Sequence, residues 1–300
     1  MPLRVLELVA RDKACEHPDK ACHGESCPLA QGFYDRLAAA REAAVRASSL
    51  DQQSLRTIAL AHQVCPYYLS QDLVRWSDVV VGDYNYYFDT SAMLYGLTVE
   101  NDWRTAVLVD EAHNMVERAR KMYSAELTQS SFRVARKSAP KSLRTVLDRV
   151  NRLWNDLYRD QETEYAVYHA IAEKFLFALQ QAGTDITDLM TDEPDSVSPE
   201  LQRFYFDAMQ FSKLAEVFGE HSMFDITRSM SLASKPQATL CIRNIVPAPF
   251  LKQRFTTAHT VTLFSATLGP HHFYADMLGL PDDTASVSYT HLTLSTIYSV

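Results

Sequence analysis

None of the chain's eight glycines opens a G-x-x-x-x-G-K-[ST] run. A loop that wraps nucleotide phosphates in backbone N–H groups, with a lysine reaching the terminal phosphates, is therefore missing. No apolar stretch approaches the ~20 residues needed to span a bilayer, so no membrane partner is expected. The segment Met1–Leu8 lacks the apolar core and cleavage site of a secretory signal, which makes the cytoplasm the expected compartment. Positive charge is also short: a net charge of −8 offers nucleic acid no overall attraction. No internal repeat is visible. What is present is an ordinary globular composition, 47% hydrophobic and 22% charged. At 300 residues it has core enough for one large domain or two to three smaller ones.

Charge is unevenly distributed. Arg133, Arg136, Lys137, Lys141, Arg144, Arg149 and Arg152 stand between residues 131 and 152 against a single acid, Asp148. From Asn155 to Glu200 the balance turns acidic. Solvated helix faces account for such runs, and so does a basic strip that touches a phosphate backbone.

Apolar periodicity predicts helices over Pro28–Ser48, Gln52–Ala61 and on to Trp76, with a short buried strand at Val79–Val81. Thr105–Asp110 is the next strand. Beyond it the pattern turns helical for over a hundred residues, with helices expected at Asn114–Ser124, Lys141–Ala172, Glu173–Gln181 and Pro199–Glu220. Strand character returns at Ala238–Ile242 and Val261–Phe264. Distant strands that share one sheet imply an inserted subdomain, expected from about Ser124 to Lys235.

Four of the five cysteines, Cys15, Cys22, Cys27 and Cys65, have the spacing C-x6-C-x4-C-x37-C. Disulfides are not expected in a cytosolic chain. A structural zinc site usually shows two tight C-x2–4-C knuckles, and only Cys22 and Cys27 come close. The looser spacing favours the thiolate shell of an iron–sulfur cluster and leaves zinc open. His17 and His23 lie among these cysteines but are superfluous as ligands, and Cys241 reads as a core cysteine.

The run Val107-Leu108-Val109-Asp110-Glu111-Ala112-His113 reads as a buried parallel strand that delivers two carboxylates to a sheet edge, where α/β proteins hold nucleotides. An Asp there helps hold Mg²⁺, and a neighbouring acid can deprotonate the attacking water. An acid pair on the surface after a strand is the plainer alternative. Downstream stand Phe264-Ser265-Ala266-Thr267-Leu268 and Phe273–Pro281. Tyr84, Tyr86, Tyr87 and Phe88 have the composition of a base-stacking platform, although such clusters more often fill a core.

With Cys65-Pro66-Tyr67-Tyr68, Asp110-Glu111-Ala112-His113 and Ser265-Ala266-Thr267 in this order, the chain resembles the DinG/XPD-type iron–sulfur DNA helicases of superfamily 2, which carry a DEAH box. The resemblance implies an α/β fold: a partial RecA-like parallel sheet with an inserted cluster domain and a mainly helical arch. The corresponding boundaries are 1–70 for the cluster domain, 71–123 for the DEAH part of the first motor domain and 124–235 for the arch. Residues 236–285 would return to that motor domain and begin the second. It further implies a [4Fe–4S] cluster on Cys15, Cys22, Cys27 and Cys65, with Asp110 binding Mg²⁺ through water and Glu111 as general base. His113 would couple nucleotide state to DNA, and Ser265, Ala266 and Thr267 would form motif III. ATP and single-stranded, forked or duplex DNA are the implied partners, with 5′-to-3′ translocation.

Without a phosphate loop the chain reads as an internal piece of such a helicase, lacking also the later arginine motifs, and inactive by itself. The rival reading is a non-catalytic metal-cluster module that contacts DNA or protein. Ser286–Val300 carries no Asp, Glu, Lys or Arg. It reads either as an edge strand or as non-native sequence, since Ser288–Leu294 resembles translated adapter read-through; the coding DNA decides which.

Overall fold

A short apolar run near the amino terminus, β1 (Val5–Glu7), is the middle strand of a parallel sheet ordered β2-β1-β3, with β2 at Ser49–Leu50 and β3 at Val79–Val81. The computed structural model describes residues 3–20, 22–47, 49–159, 161–193, 196–230 and 236–288. The chain divides into two compact units, Met1–Tyr86 and Tyr87–Val300.

In the first unit Leu6 is fully buried at the centre of the sheet. Between the strands lie α1 (Arg11–Ala14), α2 (Phe33–Val45), α3 (Gln52–Ala61) and α4 (Pro66–Leu73). Helix α3 begins where Asp51 accepts the Ser54 N–H at 2.7 Å, an N-cap that satisfies one otherwise orphaned donor. Helix α4 begins with Pro66 in its first turn, where the missing N–H costs nothing. The sequence pattern left β1 and β2 unrecognised, because two or three residues cannot display a period.

Helix α5 (Asn85–Phe88) spans the division and α6 (Met93–Glu100) follows. The DEAH strand is β4 (Ala106–Val109), continued by α7 (Met115–Met122). Then come β5 (Ala125–Thr128), α8 (Gln129–Ser138), α9 (Arg144–Arg159), β6 (Tyr165–Tyr168), α10 (Glu173–Asp192), α11 (Pro199–Glu216), β7 (Ser222–Met230) and β8 (Pro236–Asn244). The chain closes with α12 (Ala248–Thr257), β9 (Thr260–Leu263) and α13 (His271–Leu278).

Strand β9 returns to lie parallel to β4 in the register Ala106↔Thr260 through Val109↔Leu263, as an inserted subdomain requires. The parallel strands thus fall into two sheets, one in each unit. The mainly helical insert also contains a sheet. The helix foreseen over Lys141–Ala172 ends at Arg159 and gives way to β6, and β5-β8-β7-β6 form one antiparallel sheet. Strand β8, expected to return toward the motor sheet, instead pairs with β5 and β7, which carries the insert's sheet to Asn244. Alternating patterns on such strands are hard to separate from helix when Thr, Ser and Met dominate, as in Ser222–Met230.

The insert's core is aromatic. Helix α9 turns one regular apolar stripe inward, with Val146, Leu147, Val150, Trp154 and Tyr158 buried. Trp154 stacks on Phe132 at 5.3 Å and meets Phe175 edge-on at 5.5 Å.

Helix α13 ends at Gly279 with φ +66°, and a Cβ there would lie 2.9 Å from the Ala248 carbonyl at the start of α12. Both the left-handed backbone and the close approach need glycine. Gly279→Ala is expected to cost about 2 kcal/mol in urea unfolding. A wild-type midpoint in that variant would contradict the assignment.

Among the described residues no helix is long and apolar enough to cross a membrane. Residues 286–288 have no regular structure, and the rest of the suspected tail, 289–300, lies outside the described residues.

Candidate active site

The four residues after β4 turn sharply. Glu111 has φ +47°, a left-handed conformation that costs a residue with a side chain about 1 kcal/mol. Such strain persists only where the surroundings hold it in place. Here the holding groups are visible. The Glu111 N–H donates to Asp110 Oδ1 at 2.7 Å, and the Asn114 N–H donates to the Glu111 carbonyl at 2.9 Å. The β4–β9 ladder also continues past both strand ends. Phe264 N–H donates to the Val109 carbonyl at 3.0 Å, and Ala112 N–H donates to the Phe264 carbonyl at 3.1 Å.

This ladder places the DEAH turn against the Ser-Ala-Thr turn. His113 Nδ1 lies 2.8 Å from Ser265 Oγ and 3.1 Å from Glu111 Oε2, while Ser265 Oγ is 3.5 Å from that same carboxylate oxygen. The Thr267 N–H donates to Ser265 Oγ at 3.3 Å. Glu111, His113 and Ser265 therefore form one polar cluster, with Ala112 buried beneath it and Asp110 and Glu111 facing solvent. Ala266 and Thr267 are exposed beside it. The hydroxyl of Ser265 can relay a change at the Glu111 carboxylate to the β9 turn, since it touches both acid and imidazole.

The expectation that β4 is buried on both faces is only half met. Val109 is buried, whereas Leu108 is 71% exposed. Among the described residues β9 is the sole strand paired with β4.

Cys15, Cys22, Cys27 and Cys65 lie in the first unit, all as free thiols. Cys15 closes α1 and Cys65 is the N-cap of α4; Cys22 is exposed, and Cys15, Cys27 and Cys65 are half-buried. Burial pushes the Cys65 thiol up. The backbone N–H groups of Tyr68 and Tyr67, at the opening of α4, pull it down, and negative charge on Cys15 and Cys22 raises it further. Negative charge on Cys15 and Cys22 thus acts on Cys65, a repulsion that a bound cationic centre would relieve. Among the described residues no three His, Cys, Asp or Glu side chains already stand in a metal-holding arrangement. The donor chemistry of four thiols in one unit fits a thiolate-bound cluster. His23 Nε2 is 3.2 Å from Ser26 Oγ.

Tyr87 and Phe88 are core residues, and Tyr86 donates its hydroxyl to the Val9 carbonyl at 2.9 Å; these aromatics form no platform. Cys241 is buried as expected, and burial pushes its thiol up to about 11.

Comparison with known proteins agrees with this geometry. The DEAD_2 family matches residues 4–132, a span that takes in the four cysteines and the DEAH turn. These matches support the resemblance of the chain to the DinG/XPD type of superfamily 2 helicases. Regulator of telomere elongation helicase 1 homolog from Anopheles gambiae is 29% identical over 160 residues, 49% of this chain and 16% of that protein. Human regulator of telomere elongation helicase 1 is 28% identical over 138 residues, covering 42% and 11%. Fanconi anemia group J protein homolog from Gallus gallus is 27% identical over 157 residues, covering 45% and 12%. The chain thus aligns with less than a fifth of the length of each of these relatives. Two solved structures share its fold. One, "XPD_Helicase", has TM-score 0.56 and 17% identity and covers 94% of this chain and 48% of its own. The other, "Truncated XPD", has TM-score 0.53 and 16% identity, covering 93% and 77%.

What sequence reasoning missed is Arg254, a buried cation that no motif contains. Its signal lies only in the fold.

Proposed function

We propose that this chain supplies the Mg²⁺ and water half of an ATP site that drives single-strand DNA translocation and duplex unwinding. The observation that carries the reading is the contact of His113 with both Ser265 and Glu111. It ties the residue placed to activate water to the strand turn that would report hydrolysis. Asp110 would hold Mg²⁺ through its waters, and Glu111 would take the proton of the attacking water. Cys15, Cys22, Cys27 and Cys65 would hold a [4Fe–4S] cluster, which supplies a rigid, cross-linked platform when bound. Movement from 5′ to 3′ and use of forked substrates belong to the same reading.

The 300 residues alone are expected to release no phosphate from ATP above a Glu111→Gln control with single-stranded DNA present, because no loop holds the phosphates. A longer form carrying a G-x-x-x-x-G-K-[ST] segment ahead of residue 1 is expected to turn over ATP. Glu111→Gln should slow that form by about a hundredfold or more. Phosphate release by the chain alone would overturn the half-site reading. Undiminished turnover by the longer Glu111→Gln form would remove Glu111 from the chemistry.

A further inference from the structure

Two stretches join the inserted subdomain to the rest of its unit: the passage from α7 into β5, and the passage out of β8. They are tied to each other. The Asn244 N–H donates to Ser124 Oγ at 2.9 Å, and Arg120 Nε donates to the Ile245 carbonyl at 2.8 Å. Residues of α7, β5 and β8 line a cavity of about 530 Å³ at this junction, a size that holds small molecules. None of its residues belongs to the DEAH turn or to the Ser-Ala-Thr turn.

The charges that line it do not all cancel. Lys121 pairs with Glu117 at 2.8 Å, and Arg243 is held by the buried Asp225 at 2.9 Å. Arg120 has committed only its Nε, to a neutral carbonyl, which leaves its two Nη groups without a partner among the described residues. Glu126, exposed on β5, has no ion pair among the described residues. The lining therefore offers one cation and one carboxylate on different elements. A third group is also unsatisfied. Asn244 is 1% exposed, and its Nδ2 donates to the His221 carbonyl at 3.5 Å and the Val246 carbonyl at 3.3 Å. Those bonds fix the side-chain amide and leave Oδ1 a buried acceptor with no partner. An orphaned acceptor in a cavity wall marks a place for a donor.

Charge decides what the occupant is. A phosphate monoester would satisfy Arg120 but set a dianion beside Glu126. A polyamine would satisfy Glu126 and Asn244 but meet Arg120, Lys121 and Arg243. A small zwitterion satisfies all three open groups. Its carboxylate fits the guanidinium fork, and its ammonium carries three donors for the Glu126 carboxylate and Asn244 Oδ1.

We propose that this cavity binds a free α-amino acid, with its carboxylate on Arg120 and its ammonium on Glu126 and Asn244. The bound molecule bridges α7 and β5 to β8, so it stiffens the two crossings that attach the insert. It requires no ATP turnover.

The test uses the 300-residue chain and each standard amino acid in turn at about 10 mM, enough to fill a site of millimolar Kd. At least one is expected to raise the thermal midpoint by about 3 °C or more, because a ligand that binds only the folded state stabilises it. Titration calorimetry of that amino acid should then give one site per chain. Its N-acetyl and carboxamide derivatives, each lacking one charge, should bind about tenfold or more weakly. Glu126→Gln should weaken the parent amino acid about tenfold and abolish the penalty of N-acetylation while keeping that of amidation. Arg120→Gln should do the converse. A variant that is merely less stable would lose affinity for all forms alike, so these selective losses report recognition. Glu216→Gln, an exposed acid on α11, should change nothing. The proposal is overturned if no amino acid shifts the midpoint or gives a heat of binding, or if inorganic phosphate does so and the amino acids do not. It is equally overturned if the derivatives bind as well as the parent, or if Glu126→Gln leaves the discrimination against N-acetylation intact. ATP turnover by the longer form would survive each of those results, so the two readings fail separately.

Discussion

Arg254→Leu is expected to lower the stability of the Tyr87–Val300 unit by about 4 kcal/mol, a thermal shift of about 10 °C. Arg254 is 8% exposed on α12 and is satisfied entirely by neutral partners. Its Nε donates to the Tyr123 hydroxyl at 3.0 Å, Nη1 to the Tyr87 carbonyl at 3.0 Å and Nη2 to the Asp89 carbonyl. The guanidinium also lies 4.3 Å from the centroid of Tyr95. Tyr123 in turn donates to the Phe88 carbonyl and stacks on Phe250 at 4.4 Å. One side chain therefore ties residues 87–89, α6 and the end of α7 to the helix that precedes β9. Leucine fills the volume but strands the Tyr87 and Asp89 carbonyls, each costing about 1–3 kcal/mol when buried without a partner, and leaves the Tyr123 hydroxyl with only its bond to Phe88. Arg254→Lys should recover less than half of the loss, since one ammonium cannot reach three divergent acceptors. An unchanged midpoint for Arg254→Leu would show that water replaces the guanidinium.

The same cluster sets an alkaline limit. Burial pushes the Tyr87 hydroxyl up to about 12, against an ordinary value near 10 in the unfolded chain. The stability this provides is complete below about pH 10 and is lost as pH rises toward 12, because the unfolded tyrosine ionises first.

Cys65→Ser is expected to reduce iron and acid-labile sulfide, about four of each per chain after anaerobic reconstitution, to background. Cys65 is the one of the four at the start of a helix, the eight-residue α4. It is the N-cap residue of α4, where the Tyr67 and Tyr68 N–H groups favour its thiolate and negative charge on Cys15 and Cys22 opposes it. His17→Ala and His23→Ala should keep the cluster and its broad absorbance in the blue. One zinc per chain with no sulfide, in wild type, would replace the cluster with a zinc site.

Much of this was legible locally. Helix α3 and strand β3 match the expected spans residue for residue, and β4, α7 and α11 begin within two residues of expectation, because each has a clear period, a cap or a proline that marks its start. Short strands such as β1 escaped, and so did the sheet inside the insert. Their partners lie far away in sequence, and pairing rather than pattern makes them strands.

The sequence by itself determined the chemistry: two carboxylates and an imidazole after an apolar strand, a Ser-Ala-Thr turn far downstream, four loosely spaced cysteines and no phosphate loop. Side-chain identity is local information, so it survives without a fold. Only the tertiary structure decided which of these groups meet. The β4–β9 ladder brings His113 to Ser265, α7 and β8 set Arg120 and Asn244 in one cavity, and α12 carries Arg254 into a site that no motif marks. Each of those contacts joins residues distant along the chain. Such proximity is a property of packing and leaves no periodic trace in the sequence.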